Sequence, residues 1–423
     1  MENIWNWNDA AIDQSLLETV NPVFNTARMT LFQLAASGDA HAATLAERMG
    51  LTLEETQNSA TTKASPEQVL GGTVMLEIRY RTMARLAEET GHTLVDLPCG
   101  YTPRAIEFAG KGLPYYGLDL PVVIQEASEK ITALIPPEQR ALARFRAVDA
   151  TNYASLEKAL EDIDGPVCVN TEGLLMYFTD SEAGSLCDNI RRILEKKGGC
   201  WYTADVECSL QYIIVMRALV GDRFMEIMKN SARQVKDKSD LAIGRNTLIA
   251  SPADMSGSIK NAMAFLARHG LKAERVAVAE HMPALNALNG LSPEQAAAIR
   301  EGMKQTAFWR ITPSGAAVAL PPSETEGFQL SASIQGGVLS LALAGRLDTI
   351  TAPSLLSFFK QTEAGQSVDA VDVDCSRLEY ISSAGLRVLL IMHKACRGGV
   401  SLHGENDVVS EILSQTGFDT LFH

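Results

Sequence analysis

The sequence predicts an α/β protein: a parallel, doubly wound sheet with helices in front of it, followed by a second, smaller α/β unit. Three observations predict this. Short runs of strand type alternate with helical stretches between residues 93 and 311, the pattern of strand–helix–strand crossovers. Each of the first three strands ends in an acid, Asp96, Asp119 and Asp149, at the edge where open sheets of this kind bind ligands. Thr312–Ala317 and Pro321–Glu326 are rich in Pro, Gly, Ser and acid without periodicity, which reads as a linker. A new alternation starts beyond it.

With 423 residues the chain exceeds one ordinary core, and each element can be placed in turn. Residues 1–70 read as a helical region, with apolar residues at helical spacing around Leu16 and Leu17 and from Leu31 to Leu45. Ser65-Pro66-Glu67-Gln68 starts a helix with Pro in its first turn, and a helix through Met75–Leu86 stops at Gly91. Strands are expected at Thr93–Leu97, Pro114–Leu118, Ala143–Val148, Val167–Thr171, Gly199–Ala204, Lys272–Val278 and Thr306–Ile311. Between them, a helix over Ser181–Glu195 turns Leu186, Ile190, Ile193 and Leu194 inward. The insert from Ser209 to about Asp254 is expected to lay helices over the sheet's C-terminal edge. The first domain is therefore bounded at residues 71–313, the linker at 314–326 and the second domain at 327–423. In the second domain, strands at Phe328–Ser333, Val338–Leu343, Val371–Asp374 and Val400–His403 alternate with helices from Pro353, Ala384 and Asp407.

Bulk composition excludes several classes. The chain is 46% hydrophobic and 21% charged, ordinary for a globular protein, with a formal net charge of −14. Phosphate neutralisation by Lys and Arg supplies most nucleic-acid affinity, and no basic run interleaved with aromatics appears. The first residues lack the basic start and apolar core of a signal peptide. No stretch approaches the ~18 apolar residues that span a bilayer. The expectation is a cytoplasmic protein with neither nucleic acid nor membrane as partner. Seven scattered cysteines without a C-x-x-C pair read as buried, reduced thiols, and no metal site is expected.

Leu94-Val95-Asp96-Leu97-Pro98-Cys99-Gly100 is an apolar strand closed by an acid, followed by a tight turn and then a helix. Close approach of a cofactor to bare backbone there accounts for Gly100. Asp119 follows Asp96 by 23 residues, near the offset of about 20 at which an acid takes the two hydroxyls of a ribose. A carboxylate at Asp149 can accept from an adenine amino group. One acid at a strand end commonly just caps the next helix, but three in succession point to a ligand cleft.

These residues, together with Thr102-Pro103-Arg104, Gly117-Leu118-Asp119-Leu120-Pro121 and Thr171-Glu172-Gly173-Leu174-Leu175-Met176-Tyr177, resemble the S-adenosylmethionine-dependent leucine carboxyl methyltransferase family. The resemblance covers roughly residues 70–312. It implies a Rossmann-like class I methyltransferase sheet with S-adenosylmethionine as cofactor. Asp96 and Gly100 would line that cofactor, Asp119 hold its ribose and Asp149 its adenine, with Pro98, Leu120 and Ala150 beside them and Glu172 at the amino-acid end. It also implies an Arg on the preceding helix that grips the cofactor carboxylate. Arg81 is the first choice and Arg79 the runner-up, because Arg recognises carboxylates bidentately. Pro98 stands where the family usually has Gly. No residue announces a general base, so the catalytic residues stay unassigned; Tyr177 and His281 are acceptor-side candidates that suit a structural role better. Asn170-Thr171-Glu172-Gly173 replaces the Asn/Asp-Pro-Pro-Tyr signature of amino-group methyltransferases, which disfavours N-methylation.

In the second domain, Gly345-Arg346-Leu347-Asp348-Thr349-Ile350-Thr351-Ala352 and Ser376-Arg377-Leu378-Glu379-Tyr380-Ile381-Ser382-Ser383-Ala384-Gly385-Leu386 resemble the STAS domain, the fold of bacterial anti-sigma-factor antagonists. In phosphorylatable members the acceptor serine lies two residues before the helix Gly, which here is Ser383. It precedes an apolar helix, where free N–H groups and the helix dipole favour an anion, and a phosphate there would add nearly two negative charges. The competing reading makes Ser382 or Ser383 a plain N-cap; the family commonly has Asp where this chain has Ser382. Asp348 either lies near that site or caps the helix that follows.

The function expected is an O-methyltransferase acting on a small-molecule or peptide-borne carboxyl or hydroxyl group. Its STAS unit would regulate or localise it through a kinase-like or anti-sigma-type protein partner. The competing expectation is a non-catalytic S-adenosylmethionine sensor that signals through the STAS unit. A weaker one makes that unit an oligomerisation module.

Overall fold

The computed structural model describes residues 27–51, 65–227, 246–315, 318–325, 327–365 and 368–422; the helical reading around Leu16 and Leu17 and residues 228–245 of the insert lie outside them. Residues 27–36 are helical and lead to α1 (Ala40–Arg48) and α2 (Pro66–Thr90). A reciprocal capping box between Ser65 and Gln68 starts α2, and a left-handed Gly91 ends it. The helix runs unbroken across the boundary expected between residues 70 and 71. Gly71 and Gly72 do not interrupt it because they are contact points: a methyl group would strike the Met216 side chain at Gly71 and crowd that of Gln33 at Gly72.

Seven strands make the main sheet: β1 (Thr93–Asp96), β2 (Tyr115–Asp119), β3 (Ala143–Ala147), β4 (Val167–Thr171), β5 (Gly199–Thr203), β6 (Leu271–Ala277) and β7 (Ala307–Pro313). Their order is β3-β2-β1-β4-β5-β7-β6, with the switch between β1 and β4 that dinucleotide-binding sheets use. Helices α3 (Arg104–Gly110), α4 (Pro121–Thr132), α5 (Tyr153–Ala159) and α6 (Asp180–Lys197) follow the first four strands. Next come α7 (Cys208–Val220), α8 (Met255–Arg268), α9 (Val278–His281) and α10 (Pro293–Met303). The two faces of the sheet carry separate cores, and β2 shows the alternation: Tyr115 packs into one, Tyr116 and Leu118 into the other.

One expectation is corrected here. The sheet is not wholly parallel, because β7 runs antiparallel to both β5 and β6. The chain from β6 to β7 turns back at one end of the sheet through α9 and α10, and α10 packs beside α7. Antiparallel neighbours need no crossover helix.

The second sheet has the order β12-β11-β10-β9-β8, with β8 (Val318–Thr325), β9 (Phe328–Gln335), β10 (Val338–Leu347), β11 (Ala370–Ile381) and β12 (Val400–His403). Helices α11 (Ala352–Gly365), α12 (Ser383–Ala395) and α13 (Asp407–Thr416) complete it. Leu339, Leu341 and Leu343 alternate inward from β10 and meet Val371, Val373 and Leu389. Strand β8 occupies most of the stretch expected as a linker and pairs antiparallel with β9. Its register shifts between Leu320 and Ser323, where Pro321 and Pro322 fall. An edge strand with a bulge is where a sheet tolerates residues that cannot donate.

All seven cysteines are buried and free. Among the described residues no helix is long and apolar enough to cross a membrane.

Gly345 ties β10 to the turn before β9. Its φ is +84°, and a Cβ there would lie 2.2 Å from the Gly327 carbonyl oxygen, which accepts from the Arg346 N–H at 3.0 Å. Gly345→Ala should therefore destabilise the C-terminal unit by at least about 2 kcal/mol. Urea unfolding of this variant checks the point, and an unchanged midpoint would count against it.

Candidate functional site

A cavity of about 280 Å³ opens at the C-terminal ends of β1, β2 and β4. Pro98, Cys99, Gly100 and Thr102 come from the turn after β1, Asp119 and Leu120 from the end of β2, and Glu172, Gly173, Met176 and Tyr177 from the segment after β4. Met75, Leu76 and Arg79 of α2 form another wall. A further wall, which the sequence reading did not anticipate, is supplied by Ala27, Met29, Thr30 and Gln33 of the first described helix.

Among the described residues, backbone groups hold Asp119. One carboxylate oxygen accepts from the Gly100 N–H and the other from the Leu120 N–H, both at 2.7 Å. Burial outweighs these two bonds and pushes its carboxyl up to about 7. Gly100 has φ +54°, and its left-handed turn aims that N–H at Asp119. The proline at 98 removes no needed donor here, since the Leu97, Cys99 and Gly100 N–H groups all find partners around it.

A buried charge cluster forms the floor of the cavity, and its Arg104 is among the lining residues. Arg104, at the start of α3, is 1% exposed. One of its terminal nitrogens donates to both oxygens of Asp96 at 2.8 and 2.9 Å, and the other to Glu172 at 2.7 Å and to the Tyr80 carbonyl at 3.2 Å. Burial alone would favour a neutral guanidine, but Asp96 and Glu172 outweigh it and hold Arg104 charged. Arg79 donates to the other oxygen of Glu172 at 3.0 Å. Burial would raise the Glu172 carboxyl; the two arginines reverse this and hold it below the usual carboxylate range. Asp205, just past β5, accepts from the N–H groups of Gly173, Leu174 and Leu175 at 2.7 to 2.9 Å and so pins the segment that carries Glu172 and Tyr177.

The sequence-expected residues divide accordingly. Pro98, Gly100, Asp119, Leu120 and Glu172 meet around the cavity. Asp96 does not line it: it is fully buried, with Arg104, Tyr115 (3.0 Å) and Asn170 (3.2 Å) filling its carboxylate. Arg81 is also corrected. It pairs with Asp39 at 2.8 Å and Glu77 at 2.9 Å on another side of α2, because positions two apart on a helix do not share a face; Arg79 lines the cavity instead. Asp149 and Ala150 lie outside the lining. Asp149 is exposed and accepts from the Thr151 N–H and hydroxyl at 2.8 and 2.7 Å, and the Ala150 carbonyl accepts from Asn189 at 3.0 Å. Tyr177 lines the cavity, whereas the His281 ring sits 2.9 Å from Glu89 outside it. Arg104 and Asp205 were given no role from sequence. Asp205 carries the same signal as the three noted acids, since it too follows a strand end.

In the C-terminal unit, Ser382 is the N-cap of α12 and its hydroxyl accepts from the Gly385 N–H at 3.4 Å. The helix starts one residue earlier than expected, so Ser383 is its first residue and is exposed. Asp348 closes its own turn by accepting from the Ile350 and Thr351 N–H groups. The neighbouring Leu347 carbonyl accepts from the Ser382 N–H at 2.9 Å, which brings that turn beside the start of α12.

Residues 330–423 match the family model described as "Mlab, STAS domain", so the C-terminal unit is a STAS domain. No curated protein matches the chain. Among solved structures, an anti-sigma factor antagonist from Mycobacterium paratuberculosis is 24% identical, over 24% of this chain and 86% of its own, at a TM-score of 0.22. A magnesium protoporphyrin IX methyltransferase from Synechocystis PCC 6803, solved with bound SAH, is 12% identical over 51% of this chain and 81% of its own, at 0.32. Human N-acetylserotonin methyltransferase, solved with SAM, is 11% identical over 68% and 67%, at 0.31.

Replacing Arg104 by Met should cost about 3–5 kcal/mol of stability, because the buried Asp96 carboxylate loses its cation and Glu172 loses one of its two. Adding Asp96→Asn to that variant should restore part of the loss. Chemical unfolding of both variants checks this, and a single-variant effect within experimental error would contradict it.

Proposed function

We propose that the first domain binds S-adenosylmethionine in this cavity and acts as an O-methyltransferase on a small-molecule or peptide-borne carboxyl or hydroxyl group. The observation that carries this reading is the gathering, in one cavity, of three complements to that cofactor. Asp119 is a carboxylate whose free lone pairs suit two ribose hydroxyls. Arg79 and Glu172 are a cation and an anion side by side, matched to the carboxylate and ammonium of an amino-acid end. Leu120 and Val123 offer apolar surface for a base; outside the lining, Asp149 follows β3 two residues beyond the register partner of Asp119 and, with Ala150 next to it, would take the adenine amino group.

When bound, the cofactor supplies a methyl group activated by a sulfonium leaving group. The chain's own part is then positioning. Asp119 accepts from ribose, Arg79 and Glu172 orient the amino-acid end, and Met29, Met75 and Met176 keep water from the reacting end. Among the described residues no histidine or lysine lines the cavity. That observation favours an acceptor that needs no strong general base, and it equally motivates the second reading, a sensor that binds the cofactor without turnover. Incubation with methyl-labelled cofactor and cell extract separates the two: label in a small molecule or protein supports the enzyme, tight binding without transfer the sensor.

Asp119→Ala removes charge-assisted bonds worth roughly 1.5–3 kcal/mol each, so calorimetry should show cofactor affinity falling at least about tenfold. The wild type should also lose affinity as pH falls below about 7, where Asp119 becomes neutral. The linkage to stability has the opposite sense in the empty protein. The folded-state value lies above the ordinary value of about 3.9, so the contribution of Asp119 is fully present below about pH 4 and is lost as pH rises through about 7. Affinity that is flat from pH 5 to 8 would remove Asp119 from the ribose site.

For the STAS unit, the proposed partner is a kinase-like or anti-sigma-type protein that reads the charge at Ser383. Ser382 already serves as the cap, which leaves Ser383 exposed at the helix mouth, where an added phosphate would meet free N–H groups. Ser383→Asp should keep the fold and change the set of bound proteins relative to Ser383→Ala. Identical partner sets, with no phosphate on residues 377–387, would leave a constitutive docking module.

A further inference from the structure

We infer that Glu126 latches the cofactor cavity shut from behind its wall, and so sets how long S-adenosylmethionine stays bound. The inference rests on the cofactor reading above. Three segments distant in sequence meet at this one carboxylate. Arg28, in the first described helix, donates to one oxygen at 2.5 Å. Tyr101, in the turn after β1, donates its hydroxyl to the other oxygen at 2.5 Å. Glu126 itself stands on α4, whose Val123 lines the cavity.

The alternation of neighbours shows what the latch holds. Ala27 and Met29, on either side of Arg28, line the cavity, and so do Gly100 and Thr102, on either side of Tyr101. Arg28 and Tyr101 reach Glu126 while their neighbours face the ligand space. The carboxylate therefore joins the helical wall to the cofactor loop. Tyr101 is 1% exposed, and burial together with Glu126 pushes its hydroxyl well above the usual phenol range, keeping it a neutral donor. The Arg28 guanidinium also sits 6.0 Å from the Tyr101 ring centroid, within reach of a cation–π attraction. Leu31 and Leu34 are fully buried, so the far part of that helix is anchored by its core. The turn that carries Ala27, Met29 and Thr30 is the part the latch restrains.

A partly exposed ion pair often contributes little to stability, and Glu126 is 28% exposed on its side chain. The claim therefore concerns ligand residence and not overall folding. As a positioning residue, Glu126 should affect the dissociation rate more than the association rate.

The test uses the full chain and S-adenosylmethionine itself. Dissociation of labelled cofactor, chased with unlabelled cofactor, is measured for the wild type, Glu126→Ala, Glu126→Gln and the double variant Arg28→Ala, Glu126→Ala. Glu126→Ala should dissociate at least about tenfold faster with unfolding midpoints unchanged. Gln, which offers one acceptor oxygen, should fall between, and the double variant should be no worse than Glu126→Ala alone. Amide hydrogen exchange supplies a readout that needs no cofactor: residues 27–30 and 98–102 should exchange faster in Glu126→Ala, with β4 and β5 unchanged. Unaltered dissociation together with unaltered exchange overturns the latch. Faster exchange throughout the domain also overturns it, since that is loss of stability. If the wild type binds no cofactor, the cofactor reading fails, and the exchange pattern still decides whether Glu126 couples the two walls.

Discussion

Arg104 sits where the ends of β1 and β4 meet α2, and its guanidinium is shared among Asp96, Glu172 and the Tyr80 carbonyl. A charge this deeply buried is stable only with its partners in place, because one missing carboxylate leaves several kcal/mol of desolvation uncompensated. The cluster thereby fixes the relative position of three elements whose outer ends form the cavity. Glu172 can face the cavity as an anion because two arginines stand behind it. Asp96 stays outside the cavity lining, its carboxylate taken up by Arg104, Tyr115 and Asn170.

Asp119 meets the opposite treatment. Among the described residues it has no cation, only two backbone donors, and its carboxyl is pushed up to about 7. An ion held against its own desolvation gains when a ligand brings further donors, which is the electrostatic logic of an open binding position. Two acids of similar pattern, each closing a strand, thus end in different roles. Burial and partners decide between them.

This division also explains what could be read from sequence. Apart from β8, the strands of both sheets followed from apolar runs bounded by turn residues, and the meeting of Gly100 and Asp119 at the cavity followed from a tight turn and the spacing of two strand-end acids. The reversed direction of β7 leaves no trace in periodicity, because a buried strand reads the same in either sense. Strand β8 was hidden by Pro321 and Pro322, which fall in a bulge at the sheet edge. Choosing Arg79 over Arg81 required the rotation of α2 about its axis, which two closely spaced arginines on a largely buried helix do not reveal. Arg104 was visible as a residue but not as the hub, since its three partners lie 8, 24 and 68 positions away. In the STAS unit, the adjacent serines resolved only when the cap could be assigned to Ser382.

The account stands most directly on whether the cavity recognises both ends of the cofactor at once. Calorimetric titration of the 423-residue chain with S-adenosylmethionine, and in parallel with 5′-methylthioadenosine, which keeps the nucleoside and lacks the amino-acid end, measures this. Arg79 and Glu172 contribute charge-assisted bonds only to the complete molecule, so removal of that end should weaken binding by about a hundredfold or more. Equal affinity for the two, or no binding of either, would contradict the account.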